Sequence, residues 1–252
     1  MESIFLHGGG DDPAWRAATF GSFLNALDGA GGGPLALVAA EASPAEAEES
    51  YAAYAAIFAS LEPQFDLAPL LVGPDSPLTA AALESLRPRG VFVCGGATPL
   101  YRAALCADPA WLEYCARAAI PYGGTSAGAA IAAGDAILGG WRASRAEAIR
   151  PILFQGAGEG LDMLTVRPGL GLVPFAIDVH ASQFGTLSRL AHAIDLGLAA
   201  EGWAIDEDTV LEVGSTEMRV YGKGQAYHLQ AGGQGSRLAI YAGGAVILRP
   251  GA

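Results

Sequence analysis

Along the first half of the chain, short runs of apolar residues alternate with longer Ala-rich stretches that permit a helix. SIFLHGGG predicts a strand that ends in a glycine loop, and WRAATFGSFLNAL predicts the helix after it. PLALVAA and FDLAPLLV read as strands on either side of a helix that begins near Ser43, where the serine precedes a proline and suits an N-cap. SPLTAAALESL predicts another helix, and GVFVCGG a buried strand that stops at two glycines. TPLYRAALCADPAWLEYCARAA is helical with a break around Pro109, and IPYGG is the strand that follows it. This β-then-α rhythm is the habit of an α/β protein with a mainly parallel sheet.

Beyond Gly140 the pattern loosens into a loop-rich middle, with a strand near FAIDVH and an amphipathic helix over LSRLAHAIDLGL. GWAIDEDTVLEV, MRVYGKGQAYHL and RLAIYAGGAVILRPG alternate like a β-meander, with turns at 222–224 and 243–244. No internal repeat or linker interrupts the 252 residues, so a single domain over 1–252 is expected.

Composition narrows the functional classes. The chain is 52% hydrophobic and 16% charged, so its residues suffice for a packed core. A net charge of −12 argues against a nucleic-acid backbone or an anionic membrane as partner. No apolar run is long enough to span a bilayer. The opening MESIFLHGGG has no basic region followed by a long apolar one, which predicts no secretory leader. The 3 cysteines form no C-x-x-C pair and fit a reducing, cytoplasmic setting. Cys94 reads as a buried small hydrophobe rather than a nucleophile. No metal or cofactor motif is present: H-E-x-x-H is absent, Gly222-Lys223 is no phosphate loop, and Asp206-Glu207-Asp208 reads as a solvated turn. A homodimer is one assembly the sequence allows.

The sharpest chemical signal is Gly124-Thr125-Ser126-Ala127-Gly128. In this G-x-S-x-G pattern a tight turn from strand to helix exposes a serine hydroxyl. Small residues produce the pattern by chance in a chain with 35 glycines, and a capping serine on a small-residue helix explains it equally well. Its place between a strand and a helix favours the nucleophile. Such a serine needs a base, and His180 follows the strand-like PFAID at the sheet edge where α/β proteins place their sites. His192 on a helix and His228 in a strand read as structural, while His7, before the glycine loop, either lines a site or packs, with packing at least as well favoured. Backbone N–H groups of Gly95, Gly96 and Ala127 are the candidate oxyanion donors.

VFVCGGATPLY, PYGGTSAGAA, GLGLVPFAIDVH and GWAIDEDTVLEV, in this order, resemble the cyanophycinase and dipeptidase E family of serine peptidases. The resemblance runs from about Val91 to Val213, and GTSAGA is its most specific part. It implies a three-layer α/β sandwich like that of class I glutamine amidotransferases, flavodoxin-like in its mainly parallel sheet, with a β-rich C-terminal segment. It also implies Ser126 as nucleophile, His180 as base and small peptides as substrates. The third catalytic group is expected between Ser126 and His180, with Glu147 first and Glu159 second. The chain departs from the family pattern at Ala97, at Val179 and at Phe184 to Thr186, where a polar residue, a glutamine and a basic pair are usual. No acid stands over Trp141 to Ser144 either. Substrate contacts are therefore unassigned. Arg189, Arg142 and Arg145 remain as cations for an acidic substrate, and a weakened preference for aspartyl peptides is expected. Two rival readings remain: an α/β-hydrolase esterase using HGGG, Asp206 and His228, and a catalytically impaired binding protein on the peptidase scaffold.

Overall fold

The computed structural model describes residues 3–27, 31–145, 148–233 and 235–249. Its strands are β1 (Ile4–His7), β2 (Leu35–Ala40), β3 (Leu67–Val72), β4 (Gly90–Val93), β5 (Tyr122–Thr125), β6 (Asp135–Gly139), β7 (Arg142–Arg145) and β8 (Ala148–Pro151). They continue as β9 (Thr165–Pro168), β10 (Ala176–Val179), β11 (Glu201–Ile205), β12 (Thr209–Val213), β13 (Glu217–Gly222), β14 (Gln225–Gly232), β15 (Gly235–Ala242) and β16 (Val246–Leu248). The helices are α1 (Phe20–Asn25), α2 (Pro44–Leu61), α3 (Ala80–Leu86), α4 (Thr98–Leu105), α5 (Ala110–Arg117), α6 (Ala127–Ala130), α7 (Ala181–Phe184) and α8 (Leu187–Asp195).

An 8-stranded sheet in the order β16-β13-β12-β1-β5-β4-β2-β3 forms the centre. From β3 to β1 every pairing is parallel, and β12, β13 and β16 extend the sheet antiparallel. All six residues of β2 are buried, which explains why this strand reads as an uninterrupted apolar run. The strand order takes β1 to β2 to β3 in one direction and β3 to β4 to β5 in the other, so the right-handed crossovers usual for parallel strands place α1 and α2 on one face and α3, α4 and α5 on the other, and α1 packs on α2 as α3 packs on α5. On the first face Phe92 meets Phe20, Phe23 and Phe58, all buried, at ring separations of 4.9 to 5.7 Å. Ser43 caps α2 as expected, its hydroxyl accepting the Glu46 N–H.

A second sheet, β10-β11-β14-β15, packs into the same core through Ile177, Val179, Trp203, Ile205 and Ala226. Strands that sequence alternation assigns to one meander are thus divided between two sheets. The middle segment also differs from expectation, since β6 pairs with β9 and β7 with β8. Residues of β8 are all exposed, so no apolar alternation marked it as a strand. The first helix is shorter than expected. Residues 13–19 form turns, in which the Thr19 hydroxyl donates to the Trp15 carbonyl, and regular helix begins at Phe20. Among the described residues no helix is long and apolar enough to cross a membrane.

Candidate active site

Ser126 sits between β5 and α6 with φ 50° and ψ −113°. A non-glycine residue adopts this backbone only when its surroundings hold it there. The flanking glycines explain how. A Cβ on Gly124 would stand 2.5 Å from the Gly128 carbonyl, and one on Gly128 would stand 2.4 Å from the Val93 carbonyl. Only hydrogen fits at either place. The Ser126 N–H donates to the His7 carbonyl at 3.0 Å, tying the turn to the end of β1.

His180 leaves β10 in the left-handed region at φ 56°, and its N–H donates to the Gly8 carbonyl at 2.9 Å. Its ring stacks on Phe184 at 4.6 Å. On the other side runs the HGGG loop, where a Cβ on Gly9 would stand 2.1 Å from the ring carbon Cε1. These glycines make room for the imidazole and hold its strand.

Ser126 Oγ lies 2.9 Å from His180 Nε2, and His180 Nδ1 lies 2.8 Å from Glu207 Oε1. With Nδ1–H facing the carboxylate, Nε2 presents its lone pair to the serine hydroxyl. The side chains of His180 and Glu207 are 17% and 29% exposed, so the chain of hydrogen bonds opens to solvent at one end.

The carboxylate on the imidazole therefore comes from the loop after β11. Glu147 lies outside the described residues, and the Glu159 carboxylate accepts the Thr98 N–H at 3.2 Å instead. Asp206-Glu207-Asp208 is no solvated turn. Asp206 is buried and accepts from the Ser182 N–H and the Gln225 N–H. Asp208 donates its N–H to the Gly9 carbonyl at 2.8 Å and accepts the Asp12 N–H on its side chain. Glu207 is held by its own N–H, which donates to the Gln183 side chain at 3.0 Å. Three acids directly beyond a strand, facing the glycine loop, were the available signal. The expected chain order of serine, acid and histidine hid it.

One of the three candidate oxyanion donors is already engaged: the Gly95 N–H donates to the Tyr54 hydroxyl at 3.1 Å. Gly96 and Ala127 donate their N–H groups to nothing among the described residues. Gly95 still borders the serine, since a Cβ there would lie 3.1 Å from Ser126 Cβ.

Of the three arginines considered as substrate cations, two are paired with carboxylates and the third is stacked on a ring. Arg189 is buried and grips Asp178 through two bonds of 2.8 and 2.6 Å. Arg142 lies 3.8 Å over the Trp141 ring, and Arg145 pairs with Asp195 at 2.6 Å. Around the Gly95–Thr98 loop stand carboxylates: Glu159 on the Thr98 N–H, and Glu41, whose Oε1 lies 2.8 Å from the place of a Gly96 Cβ. Burial raises both above the usual carboxylate range.

The histidine of the rival esterase lies elsewhere. His228 stacks on Trp203 at 4.5 Å and meets Glu201 at 3.2 Å, in the second sheet. His192 bonds the Ser188 carbonyl within α8.

The whole chain shares its fold with a peptidase. The crystal structure of a peptidase from an acI-B1 Actinobacterium matches it with a TM-score of 0.67, over 99% of this chain and 97% of that one. Sequence identity is only 16%, so the likeness shows a common α/β architecture and leaves activity to the site itself. No protein-family model matches the chain, and no curated protein matches it in sequence.

Proposed function

We propose that this protein is a serine peptidase acting on dipeptides or short peptides, with Ser126, His180 and Glu207 as its catalytic groups. The observation that carries the reading is the continuous hydrogen-bond chain from Ser126 Oγ through His180 to Glu207, built on a turn too strained to be a simple cap. The fold shared with a peptidase supports it, as do the motifs resembling cyanophycinases and dipeptidase E.

In this mechanism His180 Nε2 removes the hydroxyl proton as Ser126 Oγ attacks the peptide carbonyl. Glu207 stabilises the imidazolium that forms and keeps the ring in the correct tautomer. The Gly96 and Ala127 N–H groups receive the developing oxyanion. Collapse expels the amine, which takes the proton from His180 and leaves an acyl-serine. Water, activated by the same imidazole, then releases the acid.

With Arg189, Arg142 and Arg145 engaged elsewhere and the Glu41 and Glu159 carboxylates beside the Gly95–Thr98 loop, an acidic first residue is disfavoured. A fluorophosphonate probe should label Ser126 in the native protein and not in Ser126→Ala. A panel of dipeptides with acidic, neutral and basic first residues should show cleavage of the neutral and basic ones, lost in Ser126→Ala. Absence of both labelling and cleavage would sink the peptidase reading, while exclusive cleavage of aspartyl dipeptides would sink its specificity.

A further inference from the structure

Both polar groups of the Gly95 backbone are held by tyrosine hydroxyls. The Tyr54 hydroxyl accepts the Gly95 N–H at 3.1 Å, and the Tyr101 hydroxyl donates to the Gly95 carbonyl at 2.9 Å. Tyr54 comes from α2 on one face of the sheet and Tyr101 from α4 on the other, so the loop is gripped from two sides. Tyr101 is fully buried, and its ring closes on Gly96, where a Cβ would lie 2.6 Å from Cε2. Burial pushes both phenols well above their ordinary range, which keeps them protonated and able to donate.

We propose that Tyr101 and Tyr54 are positioning residues that aim the Gly96 N–H at the substrate carbonyl. The peptide joining Gly95 to Gly96 is planar and trans, so its C=O and its N–H point to opposite sides of one rigid plane. A hydroxyl that fixes the Gly95 carbonyl therefore also fixes the Gly96 N–H. Without it two successive glycines have wide torsional freedom, and the donor swings away from the position where charge develops. The second bond, from Gly95 N–H to Tyr54, stops the preceding peptide from turning and leaves Gly96 as the donor of this loop. Each tyrosine acts through the backbone it holds.

The inference rests on the peptidase reading, and the experiment separates the two. Wild type, Tyr101→Phe and Tyr54→Phe are assayed on the best dipeptide of the panel, with active sites counted by fluorophosphonate titration. Removing an oxyanion donor costs about 10²- to 10³-fold in rate. Tyr101→Phe, which misaims a donor without deleting it, should lower kcat per titrated site by about 10- to 100-fold and leave KM within about threefold. Affinity for a peptide aldehyde, which forms the tetrahedral adduct, should fall by the same factor as kcat/KM, while affinity for an unreactive product should not change. Tyr54→Phe should show the same split to a smaller degree. A tyrosine with a merely structural role would lower Tm and leave kcat per titrated site and aldehyde affinity at wild-type values, which would overturn the proposal. If Tyr101→Phe does not fold, Tyr54→Phe decides by the same split. If wild type neither cleaves nor labels, the peptidase reading itself fails and the clamp falls with it.

Discussion

At the scale of single residues, Glu207 and Glu147 make opposite predictions. Glu207 contacts Nδ1 of His180, so Glu207→Gln exchanges a carboxylate for an amide that cannot balance an imidazolium. Loss of the third group of such a triad with its geometry kept costs about 10⁴-fold in turnover. Glu207→Gln should therefore lower kcat by about 10³- to 10⁴-fold with KM and Tm little changed. Glu147→Gln should stay within about twofold of wild type. Steady-state kinetics on the purified variants decide, and a Glu207→Gln enzyme with more than a tenth of wild-type activity would remove the carboxylate from the mechanism.

Between elements, the position of His180 depends on how α8 is fastened to β10. Arg189 on α8 and Asp178, two residues before His180 on β10, form a buried two-bond pair, and a third bond runs from Arg189 to the Ala157 carbonyl at 2.7 Å. Breaking one partner of such a pair strands a charge in the core at a cost of about 3–5 kcal/mol, whereas replacing both with apolar residues is often close to neutral. Arg189→Met should lose about that much stability in urea unfolding. The double variant Asp178→Leu with Arg189→Met should recover a large part of it. Equal losses in the two would mean that the pair holds the elements by packing alone. The same pair commits the Arg189 guanidinium to the fold rather than to a substrate carboxylate.

For the whole molecule, the most distinctive titration belongs to His7 in the middle of the central sheet. The ring lies against Phe20 and Phe92, Nε2 has no hydrogen-bond partner among the described residues, and burial lowers its pKa from 6.5 to about 3. The unfolded chain therefore takes up a proton that the folded chain refuses between pH 6.5 and about 3. This contribution to stability is complete above pH 6.5 and is lost as the pH falls through that window. At pH 5 the loss is on the order of 2 kcal/mol, since each pK unit is worth about 1.4 kcal/mol. His7→Phe keeps a ring in the aromatic cluster and removes the titration. Urea midpoints at pH 7.5 and pH 5 should then differ less in the variant than in wild type by an amount matching that figure. Identical pH slopes in the two proteins would show that His7 is protonated without cost.

Features set by neighbours in the chain were legible without a structure. The apolar blocks of β2 and β4, the Ser43 cap, the break at Pro109 and the glycines around Ser126 all act over a few residues, so their pattern predicts strand, helix start and turn directly. Serine and histidine were legible as candidates for the same reason, since each ends a strand of recognisable composition. What remained hidden depends on contacts between distant segments. Alternation shows that β11 to β16 are strands, but it cannot say which sheet each one joins, because both sheets offer an apolar face. Whether a backbone N–H is free depends on Tyr54, 41 residues from Gly95 in the chain. Which carboxylate reaches His180 depends on the parallel pairing of β10 with β11, which brings residues 27 apart in sequence within one hydrogen bond. A carboxylate's chemistry is the same at 147, 159 or 207. Only the packing of the second sheet against the first selects the one that meets the ring.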